Sequence, residues 1–565
     1  MGNLAKLKYL DLRNQYLSGA LPESMGNLVN LETFYIDNWF GDGGWRNKVT
    51  QLPANIGNWG KLRNIGINGN ALMSLPESFG QLTLLTNLNL SQNQLTSLPE
   101  SFGNLTNITS LSLDQNPLTS LPTSFGNLGN LQTLVLNYTP LKTLPESFGW
   151  LTSLLTLQAW YTWLESLPST FGNLTNLQQA YFWNSNLTSL PNGFSWLKNL
   201  TTLNVASNKI TKLPDDFGLP KLGSLYASNN QFTTVPDSFT GMTSLTSADF
   251  SNGMITNLGK FLPPAQWCYY WYGYYCGNKS INLKNNKITQ LPDNIGDMGI
   301  ATIELQYNEL TSLPESYGNI GGYYAYNNGT LDISHNRLAK LPDSIYKFNV
   351  REMDLSYNQL TKLPDTIGNI TNLQKLVLYT NQLTYLPSSF GSLSKLTFLD
   401  LYSNKLGTLP ESFGSLTGIT SLDLGANQIS SLPNSIGNLK QLRSLELHQN
   451  KLTELPAGIG QMSQLVTIRA SNNLLTKLPT ELEQIGTLTE LNLKGNASLT
   501  KLPNNFASLS SRVNSLNLID TGLWTLAREF NPYSNQPFSE PNITQDGKRI
   551  TIQWDGNGIL TIKSE

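Results

Sequence analysis

Charge is scarce in this 565-residue chain: Asp, Glu, Lys and Arg make up 13% of it, and the formal net charge is −2. No broad basic field exists to attract nucleic acid or an anionic membrane surface, which argues against a polyanion partner. Cysteine is rarer still. With only Cys268 and Cys276, neither a disulfide-stapled scaffold nor a four-thiolate zinc site can be built. No continuous apolar run reaches the roughly 18 to 20 residues that cross a bilayer, and the N-terminus lacks a charged-then-apolar leader, so no membrane insertion is expected. Met1 stands inside a repeat, at Gly2-Asn3-Leu4, which points to a natural protein extending further upstream. A phosphate-cradling glycine loop and a nucleophile elbow are also missing.

What the chain does have is a period. Leu62, Leu85, Ile108, Leu131, Leu154, Leu177 and Leu200 recur at a step of 23, as from Leu62 to Leu85. One unit reads Leu85-x-x-Leu88-x-Leu90-x-x-Asn93-x-Leu95-x-x-Leu98-Pro99-x-x-Phe102-Gly103-x-Leu105, and about 22 such units can be traced from Leu7 to Phe530. The Leu88-x-Leu90 alternation predicts a short strand with its leucines inward, and stacked units then give one parallel sheet. Asn93 and its equivalents Asn116, Asn208, Asn308, Asn358 and Asn450 fall where the strand ends, where a side-chain amide can pair turn groups otherwise buried. Pro99 ends the leucine run, Gly103 is read as permitting a tight turn, and Phe102, Phe125, Phe148, Phe171 and Phe194 should stack on the opposite side. His335 and His448 lie five repeats apart, about 24 Å at the strand spacing, so they share neither a metal nor a triad. No catalytic residue, metal site or cofactor is assigned.

The pattern resembles the leucine-rich-repeat superfamily, particularly the Leu-Pro-x-x-Ile/Phe-Gly-x-Leu units of bacterial cell-surface repeat proteins and of intracellular Ras-group proteins. The resemblance implies an α/β solenoid, a horseshoe with a parallel concave sheet and short helical or irregular convex segments. It also implies recognition of proteins, peptides or glycans without catalysis. The first unit, Leu17-Ser18-Gly19-Ala20-Leu21-Pro22, is one residue longer and looks like the plant-receptor version.

Because the repeat explains most residues, function is sought where it breaks. In three successive units the ladder asparagine becomes Thr139, Thr162 and Ser185. There the outward strand positions are read as carrying Tyr138, Trp160, Tyr161, Tyr181 and Trp183, with Tyr226 continuing the row two units later. Such a patch predicts a contact surface for a protein or glycan ligand; the alternative is rings that stack only to stiffen the sheet. A second departure is an insertion running through Trp267, Cys268, Tyr269, Tyr270, Trp271 and Tyr272 to Cys276, either a binding loop closed by a Cys268–Cys276 disulfide or a plug over an irregular turn. A third follows Ile36, and a short one spans Tyr323 to Tyr326.

Carboxylates recur at one strand position, Asp332, Asp354, Asp400, Asp423 and Glu446, either a solvated column or an attraction for a basic partner. The expected organisation is a solenoid over 1–530, with insertions near 37–48, 259–279 and 321–328. A linker and β-hairpin are expected over 531–565, either as a C-terminal cap or as the first piece of a further domain. The leading expectation is a cell-surface or secreted, non-enzymatic recognition or adhesion protein; the alternative is a cytoplasmic Ras-group-type scaffold.

Overall fold

The computed structural model describes residues 3–38, 47–235, 239, 242–259, 279–297, 299–320, 329–348, 350–503, 506–509 and 512–523, and the backbone of the strands at 269–270, 274–275, 543–545, 548–554 and 560–564. The chain divides into two units, residues 1–266 with 279–287 and residues 267–278 with 288–565. In the first unit twelve strands, from Tyr9–Asp11 to Lys279–Asn282, lie parallel in sequence order. The second holds a nine-stranded parallel sheet from Thr330–Asp332 to Ser515–Asn517, also in sequence order. The register is repeat on repeat: Thr133 faces Thr156, and Thr156 faces Gln179.

The alternating leucines turn inward as their spacing requires. Leu88, Leu90, Leu95, Phe102 and Leu105 are all buried, so each unit donates one apolar edge to a continuous core. The ladder asparagine then ties one unit to the next. Asn93 accepts the Leu72 N–H at 3.1 Å and donates to the carbonyls of Ile67 and Leu90, each at 3.1 Å. Asn116 repeats this on Leu95, Leu90 and Leu113. Three buried backbone groups are thus satisfied by one side chain.

Pro99 opens a short 3-10 helix, Glu100–Asn104, which carries Phe102 inward. The phenylalanines form a column, Phe79 to Phe102 to Phe125 to Phe148 to Phe171 to Phe194, with ring centroids 5.8–6.4 Å apart and planes within 7°. The reason for Gly103 differs from the expected one. Its φ is not positive; a Cβ there would stand 2.3 Å from the Ser124 carbonyl of the next unit, so glycine serves close stacking of repeats rather than a turn. A second ladder runs along this side: the Ser124 hydroxyl donates to the Glu100 carbonyl at 2.6 Å, while the Glu100 carboxylate accepts the Thr123 and Ser124 N–H groups at 3.1 Å.

Near the N-terminus, Ser18–Ala20 pairs in parallel with Lys48–Gln51, adding a small sheet at the longer first unit. The insertion after Ile36 enters ahead of a ladder residue: buried Asn47 accepts the Leu17 N–H and donates to the carbonyls of Leu12 and Ile36. At the other end, Ile543–Gln545, Lys548–Trp554 and Leu560–Ser564 pair antiparallel in that order.

Candidate ligand-binding face

Of the six aromatic residues singled out in the first unit, Tyr138, Trp160, Tyr161 and Trp183 come together in ring contact, and the six are not all on strands. The strands there are three residues long, Thr133–Val135, Thr156–Gln158 and Gln179–Tyr181. Only Tyr181, and Tyr226 on Ser224–Tyr226, occupy a strand. Trp160 and Trp183 lie two residues beyond the strand end, while Tyr138 and Tyr161 lie three beyond it, at φ 55° and 53°. The single outward row is therefore corrected to three adjacent rows.

Four rings form one cluster. Tyr138 stacks on Tyr161 at 4.9 Å and Trp160 on Trp183 at 5.1 Å, while the two pairs meet edge to face, Tyr138 to Trp160 at 4.8 Å and Tyr161 to Trp183 at 4.7 Å. Such offset and T-shaped geometries suit the ring quadrupoles. The cluster is not a core: Tyr138 is 47% and Tyr161 40% exposed, and both tryptophans remain partly open.

The backbone does not ask for rings here. In the left-handed region asparagine is favoured: Asn184 takes this position in the Trp183 unit, and Asn229, Asn252 and Asn285 take it in units beyond the cluster. Two structural devices are also given up beside the cluster. Elsewhere the strand-end Asn or Asp accepts the N–H two residues on, as Asn89 does from Ser91, Asn204 from Ala206 and Asp249 from Ser251, at 2.9–3.0 Å. Val135, Gln158 and Tyr181 stand at that position here. The asparagine ladder is broken as well: Thr139 and Thr162 donate to the carbonyls of Leu136 and Ala159 in their own units, and a hydroxyl contact between Thr162 and Ser185 at 2.8 Å replaces the amide between units. Ladder bonding to a leucine N–H resumes at Leu187, paired to Asn208 at 2.9 Å.

In the second unit the carboxylate column has a structural role that spacing alone had not suggested. Asp332, Asp354, Asp400 and Asp423 each turn one oxygen back onto the N–H two residues ahead, at 2.8–2.9 Å. Burial pushes the carboxyls of Asp400 and Asp423 above the usual aspartate range. Glu446 differs, being paired to Arg469 at 2.6 Å, which also grips Glu490 through two contacts at 2.8 and 3.0 Å.

A second ring row went unnoticed in the sequence. Tyr307, His335 and Tyr357, all at positive φ, stack at 4.1 and 4.2 Å, and Tyr379 meets Tyr357 edge-on at 5.1 Å. Burial holds His335 below the usual imidazole value, against the upward pull of Asp354 and Asp332. Because Asn308, Asn336 and Asn358 keep the ladder, no break marked these units. A ring directly before a ladder asparagine was the available signal.

Of the expected aromatic loop, Trp267, Cys268, Trp271, Tyr272 and Cys276 lie outside the described residues, as do Tyr323 to Tyr326. For Tyr269–Tyr270 the backbone pairs antiparallel with Tyr274–Tyr275. Among the described residues no group of three or more His, Cys, Asp and Glu is placed to hold a metal, and no helix is long and apolar enough to cross a membrane.

Family models match along the chain. A leucine-rich-repeat region model matches residues 43–135, 110–185 and 421–511; a leucine-rich-repeat model matches 198–252, 329–383, 348–406 and 371–429; a third matches 6–28. The chain belongs to the leucine-rich-repeat superfamily. Among solved structures, this leucine-rich-repeat chain is similar to the plant peptide hormone receptor RGFR1 in complex with RGF2, at 26% identity and TM-score 0.54, covering 87% of each chain. It is also similar to the Arabidopsis receptor kinase HAESA in complex with the peptide hormone IDA and the co-receptor SERK1, at 25% identity and TM-score 0.51, covering 91% of this chain and 86% of that one. No curated protein matches the sequence significantly.

Proposed function

We propose that this chain is a non-enzymatic recognition protein that holds a polypeptide ligand on the sheet face of its first unit. Tyr138, Trp160, Tyr161 and Trp183 are its anchoring surface, with Tyr181 and Tyr226 beside them. One observation carries the reading: the rings stand where the repeat forgoes both its strand-end turn and its asparagine ladder, so these residues serve something other than the fold. Tyr and Trp give large, rigid contact area with few rotatable bonds, which suits them to dominate binding. Similarity to receptors solved with peptide hormones supports a polypeptide ligand and a cell-surface or secreted setting. The loop from Trp267 to Cys276 is a second contact in this proposal.

The test is a peptide and glycan array probed with the intact chain and with Trp160→Ala/Trp183→Ala. Peptide hits that disappear in the variant, with thermal unfolding shifted by no more than a few degrees, support the proposal. Hits that survive both substitutions remove the cluster from binding, and hits confined to glycans overturn the polypeptide assignment.

A further inference from the structure

The sheet face of the second unit carries a different surface. Its ring row runs Tyr307, His335, Tyr357 and Tyr379, with Tyr402 further along; Tyr307 and Tyr357 are 45% and 43% exposed, and His335 and Tyr379 are partly buried. Beside them, on the strands, runs a row of acids. Asp332 faces Asp354 across the sheet; Val377 follows, then Asp400 and Asp423. Each of these aspartates spends one oxygen on its turn N–H, and among the described residues the other oxygen meets no donor and no Lys or Arg. Nearby cations are already engaged: Lys375 with Glu352, Arg337 with Glu309, and Arg469 between Glu446 and Glu490. His448 lies at the far end, 3.8 Å from Glu446 and over Gly425, where a Cβ would collide with its ring.

We infer that this face docks a basic, arginine-bearing extended segment of a partner protein, at a site separate from the first-unit cluster and independent of the polypeptide reading made for it. Two features of the surface select that chemistry. Four carboxylates at strand spacing, about 4.8 Å from one to the next where adjacent, offer free oxygens to guanidinium groups. The stacked ring row alongside offers exposed ring edges, an apolar ledge on which the aliphatic stems of the same side chains lie. An acidic or neutral segment would leave the carboxylates desolvated and unpaired, which the interior of an interface penalises strongly.

The experiment uses the full chain and fluorescein-labelled octaarginine, read by anisotropy, with octaglutamate as control. Octaarginine is expected to bind, to weaken at least tenfold between 50 and 300 mM salt, and to lose at least tenfold in affinity in the variant Asp332→Asn/Asp354→Asn/Asp400→Asn/Asp423→Asn. That variant keeps the turn acceptor, as Asn89 and Asn204 do in the first unit. Tyr307→Asn/Tyr357→Asn, which places a backbone-favoured residue at each left-handed position, is expected to weaken binding at least threefold with unchanged thermal unfolding. Trp160→Ala/Trp183→Ala is expected to leave octaarginine affinity unaltered. Binding by the four-asparagine variant within twofold of the parent, full affinity without the two tyrosines, or loss through the two tryptophans would each overturn the inference.

Discussion

The two units set rings at equivalent positions on very different supports. In the first, Tyr138 and Tyr161 precede Thr139 and Thr162, and the side-chain bond to a leucine N–H of the preceding repeat is lost. In the second, Tyr307 and Tyr357 precede Asn308 and Asn358, and the tie is kept: Asn358 accepts the Leu338 N–H at 3.0 Å and donates to the carbonyls of Ile333 and Leu355 at 3.0 and 3.1 Å. Tyr379 and Tyr402 likewise coexist with Asn381 and Asn404. A bulky ring before the ladder position does not force the asparagine out. The broken ladder is therefore a separate property of the first unit, and the two stretches can be pulled apart by substitution.

The largest effect is expected in the intact ladder. Asn358→Ala removes the bonds of one side-chain amide to the Leu338 N–H and to the carbonyls of Ile333, Leu355 and Ser356, and at about 1–3 kcal/mol for a group left unsatisfied the loss should reach roughly 3 kcal/mol. Chemical denaturation followed by circular dichroism measures it; a loss below about 1 kcal/mol would mean that water takes over the amide's role.

The converse substitution sharpens the contrast. Thr162→Asn offers an acceptor to the Leu141 N–H and donors to the carbonyls of Leu136 and Ala159, the pattern that Asn116 makes in its own unit. A gain of about 1 kcal/mol is expected from restored pairing. It also decides what the rings do. If stacking of Trp160 on Trp183 stands in for the ladder, Trp160→Ala/Trp183→Ala should cost less stability in the Thr162→Asn background than in the parent. A ligand-binding surface predicts additivity within about 0.5 kcal/mol, and a double-mutant cycle separates the two.

The period, the inward leucines, the asparagine ladder and the phenylalanine column were legible because each is a residue type recurring at a fixed step. Features that depend on a partner some twenty residues away were not. Gly103 looked like a turn residue since its contact, the Ser124 carbonyl, belongs to the next unit. Trp160 and Tyr161 were placed on the strand because alternation has no marker for where a three-residue strand stops. The row from Tyr307 to Tyr379 carries no ladder break, so the repeat pattern stays intact around it and does not mark it. The turn role of Asp332 and Asp354 was within reach, because Asn89 and Asn204 hold the same position in the first unit.

The smallest expected effect concerns that acidic row, which the first unit fills with neutral residues beside its ring cluster. Burial raises the folded-state carboxyl values of Asp400 and Asp423 above those of the unfolded chain, with neighbouring acids adding to it. The folded state therefore favours the protonated form, so these groups' contribution is fully present at low pH and is lost as pH rises through the folded values. Asp400→Asn/Asp423→Asn keeps an oxygen for the N–H groups of Tyr402 and Gly425 and removes the charge. Solvent screening keeps the gain small, on the order of 1–2 °C in melting temperature at pH 7. Below about pH 4, near the ordinary aspartate value, the variant and the parent should converge. A variant that melts lower than the parent at pH 7 would show the opposite balance, with the charged carboxylate holding its turn N–H more strongly than burial and its neighbours oppose it.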